Sequence, residues 1–304
     1  MKERKVTRRE FIGKCAMTTA GIGAALVAPG LAAESAGKIG DYKISLAEWS
    51  LHRRHFDGKL NLIDFPKVTR EEFGIGAIEL VNVFFPSPTY NFLRDLNKQA
   101  ADNDVKILLI MCDGEGDMAN ADVKERLQAV LNHHKWVNIA AILGCHSIRC
   151  NSGQGKAGDE QAIERCADSF ARLAEYGTKS KINVIIENHG GLSSHPESLM
   201  KVMKTVNSPY FGTLPDFGNF PKEVDKYDAV RQMMPYAKAV SAKCYDFDAD
   251  GNETTIDFRK IMKIVTDAGY NGYVGIEYEG NRLSEPEGIL AAKKLLERVR
   301  GTEA

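Results

Sequence analysis

The chain has 304 residues, 43% of them hydrophobic and 27% charged, with a formal net charge of −1. It is long enough for one large core or two small ones. Beyond residue 33 it has no Lys/Arg cluster and no basic amphipathic helix, a poor match to a phosphate backbone or a membrane surface, so neither nucleic acid nor stable membrane insertion is expected.

At the N-terminus, residues 7–13 read Thr-Arg-Arg-Glu-Phe-Ile-Gly, and an uncharged run rich in Ala and Gly follows from Cys15 to Ala33. A basic head, a short apolar middle and small residues at the end describe a secretory signal over 1–33 rather than a membrane span. Arg8-Arg9 followed by Phe11 resembles a twin-arginine signal, which implies export of a folded chain to the periplasm. Its removal would take away six positive and two negative side chains, leaving a domain over 34–304 with a net charge of about −5. Five cysteines remain in that domain, Cys112, Cys145, Cys150, Cys166 and Cys244, with no Cys-x-x-Cys pair. Four of them sit in apolar runs, which describes buried structural thiols.

Beyond residue 40 the chain alternates. Strand-like runs occur near 42–48, 76–81, 105–111, 145–150, 182–187, 211–216, 238–245 and 273–278. Helical periodicity fills 90–103, 122–142, 160–179, 255–268 and 286–299. Eight strand–helix units about 33 residues apart predict an α/β fold, a single-domain (β/α)8 TIM barrel. An open doubly wound sheet fits less well, because the first strand runs into Trp49-Ser50-Leu51-His52 and not into a Gly-rich loop.

In such a barrel, sites form where the strands end. Three apolar strands each end in a carboxylate: Val184-Ile185-Ile186-Glu187, Phe211 to Asp216, and Tyr273 to Glu277. The other ends offer Glu48 with His52, Glu79 with Asn82, Cys112 with Asp113, Arg149 with Asn151, and Lys243 with Tyr245 and Asp246. Carboxylates crowded into one mouth raise one another's pKa unless a cation sits among them. A divalent metal with oxygen ligands, Mn2+ or Mg2+, suits that set and can stabilise an enediolate. Two glutamates could then move a proton on and off a carbon beside a carbonyl. The expected catalytic pair is Glu187 and Glu277. The expected metal ligands are Glu187, Asp216, Glu277 and His189, and the expected substrate contacts are Glu79, Arg149, Asn219, Lys243 and Trp49. Phe217 is a weaker candidate for stacking against a sugar. His133-His134 lies in a helical pattern and reads as surface.

Ile-Glu-Asn-His at 186–189, Pro-Asp-Phe-Gly-Asn at 215–219 and Gly-Ile-Glu-Tyr at 275–278 resemble the sugar phosphate isomerase/epimerase family. These are xylose isomerase-like TIM barrels that also include endonuclease IV, inosose dehydratase and hydroxypyruvate isomerase. The resemblance covers 41–300. It implies a metal held by Glu, Asp, His and Glu from successive strands, with Glu187, Asp216 and Glu277 matching the first, second and last. The third departs: where the seventh strand usually carries a His just before a Lys, this chain reads Ser241-Ala242-Lys243. The implied activity is isomerisation or epimerisation of a sugar or glycoside. Elimination from an oxidised glycoside, by a lyase or dehydratase, is the alternative, and a non-catalytic carbohydrate-binding barrel is a further one. An endonuclease-IV-like hydrolase is disfavoured by the charge balance, the absent His and the export signal.

Overall fold

The computed structural model describes residues 38–303. The expected export signal over 1–33 lies outside them. The described chain runs through eight strands: β1 (Lys43–Ala47), β2 (Ala77–Val81), β3 (Lys106–Cys112), β4 (Ser147–Cys150), β5 (Asn183–Glu187), β6 (Phe211–Leu214), β7 (Val240–Cys244) and β8 (Tyr273–Tyr278). All pairings between neighbouring strands are parallel, and the order β6-β5-β4-β3-β2-β1-β8-β7 leaves only β6 and β7 to meet. They meet through parallel bridges, Thr213 with Ala237 and Asp216 with Ser241. Three backbone hydrogen bonds seal the seam: Lys238 to Thr213, Ser241 to Pro215 and Phe217 to Ser241. The sheet is therefore a closed (β/α)8 barrel.

Nine helices among the described residues wrap it: α1 (His52–Phe56), α2 (Phe65–Phe73), α3 (Tyr90–Asp102), α4 (Val123–Leu143), α5 (Glu160–Ser180), α6 (Pro196–Val206), α7 (Lys226–Met233), α8 (Phe258–Asp267) and α9 (Glu285–Val299). Their starts are chemically marked. Thr89, Asp122, Asp159, Asp225, Asp257 and Ser284 each accept a backbone N–H of the first turn. None of these helices is long and apolar enough to cross a membrane. All five cysteines of the barrel are buried and free. His133, expected at the surface, is 2% exposed, its Nδ1 lying 2.7 Å from the Ala129 carbonyl. Its helix, α4, buries residues on several faces, so a polar residue inside the pattern does not mark the solvent side.

Strand parity divides the core in two. One set of side chains packs between sheet and helices, including Ile78, Ile110, Ile148, Ile186 and Ile276. The alternate set points into the barrel, where Ala47, Val81, Leu109, Met111, Ile185 and Leu214 form a small apolar cluster. The same inward parity carries Ser45, Glu79, Arg149, Glu187, Ser241, Lys243 and Glu277. A barrel interior is normally filled by Val, Ile and Leu. Here half of it is polar.

Candidate active site at the open end of the barrel

Glu187 closes β5, Asp216 lies two residues past β6, and Glu277 is the penultimate residue of β8. One oxygen from each lies within 4.8 Å of the others, and the three residues are at most 4% exposed. The strands hold them there by specific bonds. Asn188 Nδ2 donates to the Asp216 carbonyl (3.0 Å) and its Oδ1 accepts the Asp216 N–H (2.8 Å), tying the end of β5 to that of β6. Asp216 Oδ1 accepts the N–H groups of Gly218 and Asn219, both at 2.8 Å. That turn brings Asn219 back to donate to Glu187 Oε1 at 3.0 Å.

Two buried cations compensate the acids. Arg149, 3% exposed on β4, places Nε 2.8 Å from Glu187 Oε2 and Nη1 2.7 Å from Asp113. The first contact is an ion pair without hydrogen-bond alignment, so Glu187 Oε2 is a buried acceptor with no donor aimed at it. Lys243, 1% exposed on β7, lies 2.6 Å from Glu277 Oε1, 3.2 Å from Glu279 Oε2 and 4.0 Å from Asp216 Oδ2. Ser241 Oγ sits between Asp216 Oδ2 (2.7 Å) and Glu277 Oε2 (3.0 Å).

These partners separate the two glutamates electrically. Burial pushes the Glu187 carboxyl up, against the pull of Arg149, to about 7. Burial acts on Glu277 in the same sense, but the Lys243 ammonium and its hydrogen bond outweigh it and hold that carboxyl below its ordinary value. Burial also lifts Asp216 to about 7, opposed by Lys243.

The remaining expected residues fall in different places. Trp49 is half-buried at the rim, its Nε1 2.5 Å from Glu279 Oε1, and it stacks on His52 and Phe84 at 5.0 and 5.9 Å. Glu79 does not reach the mouth. It lies mid-strand, 1% exposed, next to a register irregularity between Ile78 and Glu79. There it accepts Ser45 Oγ at 2.6 Å and borders a cavity at the opposite end of the barrel with Tyr270 and Tyr273. Only a glycine at 275 leaves room, since a Cβ there would come 2.5 Å from both Glu79 oxygens. His189 does not join the three carboxylates. Past Glu187 the chain turns back, with the His189 N–H bonded to the Glu187 carbonyl and near Ser193 Oγ, and sends the imidazole to the rim. Phe217 is fully buried against Phe258 at 5.8 Å, because its backbone N–H closes the β6–β7 seam and turns the ring outward into the helix layer.

Beside the three acids, a cavity of about 460 Å3 is lined by His189, Gly190, Gly191, Ser194, His195, Asn219 and Pro221. A larger cleft of about 540 Å3 lies along Arg53, Arg54 and Arg282, outside the carboxylate cluster. Those arginines are already paired with Glu285, Glu72 and Asp246. What sequence reasoning left out is the bracing by Asn188, whose place after a strand-end Glu is the only signal of it. The contact of Glu279 with both Trp49 and Lys243 was likewise not foreseen.

The arrangement suits a divalent cation. It offers three convergent carboxylate oxygens in an all-oxygen donor set, and Glu187 also carries a buried oxygen with no hydrogen-bond donor.

The comparisons with known proteins agree in fold. One curated relative, the C-glycoside deglycosidase alpha subunit of Microbacterium trichothecenolyticum, is 31% identical over 81 residues, 26% of this chain. The chain spans only 21% of that protein's length. Among solved structures, L-ribulose 3-epimerase gives a TM-score of 0.71 at 17% identity, over 85% of this chain and 94% of that one. A xylose isomerase-like TIM barrel protein from Mycobacterium smegmatis, in complex with magnesium, gives 0.65 at 16%, over 86% and 98%. The model of the family described as xylose isomerase-like TIM barrel matches residues 69–299, and with the closed barrel and its acidic mouth the chain belongs to that family.

Proposed function

We propose that this protein is an enzyme that moves a proton on a carbon next to a carbonyl of a sugar or glycoside, in an isomerisation or epimerisation. The observation that carries this is the convergence of Glu187, Asp216 and Glu277, reaching one point from three strands. Glu277, kept ionised by Lys243 and Ser241, is the base that takes the proton. Glu187, poised near neutrality, is the acid that returns it, and Asn219 and Arg149 fix its carboxyl. Asp216 is held by its turn and by Ser241 and does not move a proton. Glu187, Asp216 and Glu277 would hold a divalent metal, Mn2+ or Mg2+, which when bound would polarise the substrate carbonyl. Trp49 offers a ring face, and the cavity beside Asn219 offers room for a sugar.

A second reading is favoured by the local likeness to C-glycoside deglycosidase alpha subunits. The same proton abstraction on an oxidised glycoside, followed by loss of the group across the new double bond, would be an elimination. Export through the segment over 1–33 belongs to the proposal too, and favours unphosphorylated sugars and glycosides as substrates. Processing of the precursor in cells with and without a working twin-arginine pathway tests that part.

The chemistry is tested by incubating the purified protein in heavy water with a panel of keto-sugars and 3-oxo-glycosides, with and without Mn2+. Solvent deuterium should appear on one carbon adjacent to the carbonyl. Retention of every C–H bond in all of them would refute proton transfer.

A further inference from the structure

Lys243 is unusual among the site residues because its ammonium stands where a metal would draw charge. Its Nζ is 2.6 Å from Glu277 and 4.0 Å from Asp216, two of the three carboxylates that converge. The other Glu277 oxygen is occupied by Ser241 Oγ at 3.0 Å. Both Glu277 oxygens thus face donors from β7, and a cation binding there must share or displace the ammonium. Two positive charges so close in a water-poor site repel strongly.

The chain also supplies a place for the ammonium to go. Glu279 Oε2 is 3.2 Å from Nζ, outside the three-carboxylate cluster, on a side chain 29% exposed. Its other oxygen is tied to Trp49 Nε1. The lysine stem is fixed, because Gly218 packs on it so closely that a Cβ would come 2.6 Å from Lys243 Cγ. The charged end can therefore change partner while the stem stays still.

On the reading that Glu187, Asp216 and Glu277 hold a divalent metal, we propose that Lys243 is a resident counter-cation that competes with the metal for Glu277. Glu279, positioned by Trp49, is the carboxylate to which its ammonium withdraws. Metal affinity in this chain is then set by a lysine and a rim carboxylate, in addition to the three ligands.

The test is calorimetric titration of the full chain with Mn2+ at one pH, for the native protein, Lys243→Met, Glu279→Gln and the double variant. Removing the competing charge should tighten Mn2+ binding about tenfold or more. Glu279→Gln should weaken it several-fold with Lys243 present and leave it within about twofold in the Lys243→Met background, because the two act through one contact. If Lys243→Met binds no tighter than the native chain, or if Glu279→Gln weakens both backgrounds alike, the competition is refuted. Should Lys243→Met fold only with metal, recovery of its native circular dichroism at a Mn2+ concentration below the native chain's Kd supports the proposal. Failure to recover overturns it. Glu187→Gln separates the two levels: Mn2+ binding that survives this change, or no binding by any form, removes the three-carboxylate metal site itself, and the competition with it.

Discussion

Glu187 and Glu277 have the same chemistry and different neighbours, and the neighbours shift their carboxyls in opposite directions. An arginine that is close but misaligned leaves Glu187 near neutrality, while a lysine in direct contact keeps Glu277 charged. Glu187→Gln and Glu277→Gln preserve shape and should each lower kcat by about 100- to 10,000-fold, with a smaller change in KM, in a deuterium-exchange or turnover assay. Glu79 makes a different prediction. Burial, opposed by the Ser45 hydrogen bond and reinforced by Glu277 and Glu187, pushes its carboxyl from an ordinary 4.5 to about 8. Between those values the unfolded chain releases a proton that the folded chain keeps, so this residue's contribution to stability falls as pH rises from about 4.5 to about 8. Glu79→Gln keeps an acceptor for Ser45 and removes the titration. It should flatten the pH profile and raise stability at pH 8 relative to the native chain by an amount on the order of 4 kcal/mol, read by calorimetry at pH 5 and pH 8.

Among the elements, all eight strands are readable as strand-like runs, three of them apolar and closed by a carboxylate. Periodicity also gives α3, α4, α5, α8 and α9. The windows did not include α2, α6 or α7, which have 9, 11 and 8 residues. α2 and α7 span too few periods for an apolar stripe to stand out, and packing on the sheet stabilises them; length does not explain α6, which is one residue longer than α8. The ends of β5 and β6 are tied by one side chain, Asn188, whose bracing role its place in the sequence only hints at. Asn188→Ala would strip the Asp216 N–H and carbonyl of their side-chain partner in a buried place. We expect a loss of about 2–4 kcal/mol in urea unfolding and a weaker Mn2+ affinity, because Asp216 would no longer be held beside Glu187.

At the scale of the whole molecule, the two ends of the described chain meet. Ile39 N–H donates to the Thr302 carbonyl at 2.9 Å and Gly301 N–H to the Ile39 carbonyl at 3.0 Å. This junction abuts the first residues of β1 and β8, where Arg300 donates to the Tyr42 carbonyl, at the end of the barrel opposite the mouth. A tag at the C-terminus should therefore leave kcat and KM unchanged. If Glu187, Asp216 and Glu277 hold a metal as proposed, its binding would act on the entire fold, because the three carboxylates come from separate strands. Mn2+ at about 100 times its Kd should stabilise the folded chain by about 2.7 kcal/mol, seen as a rise of several degrees in Tm that EDTA reverses and Glu187→Gln abolishes.

The order of residues alone determined that this is an eight-unit barrel and that Glu187, Asp216 and Glu277 stand at strand ends, because the two-residue period of a strand and the alternation with helices are local properties of a chain. Set beside the family it resembles, the sequence also marked a departure, with Ser241 or Ala242 at the place of a family histidine. Only the tertiary structure decided which acids share one point, sent Glu79 toward the far end and His189 to the rim, and put the ammonium of Lys243 against Glu277. Those outcomes depend on strand stagger, one irregular register and the path of each loop. Such features are set by packing between residues that are distant in sequence, and no local pattern encodes them.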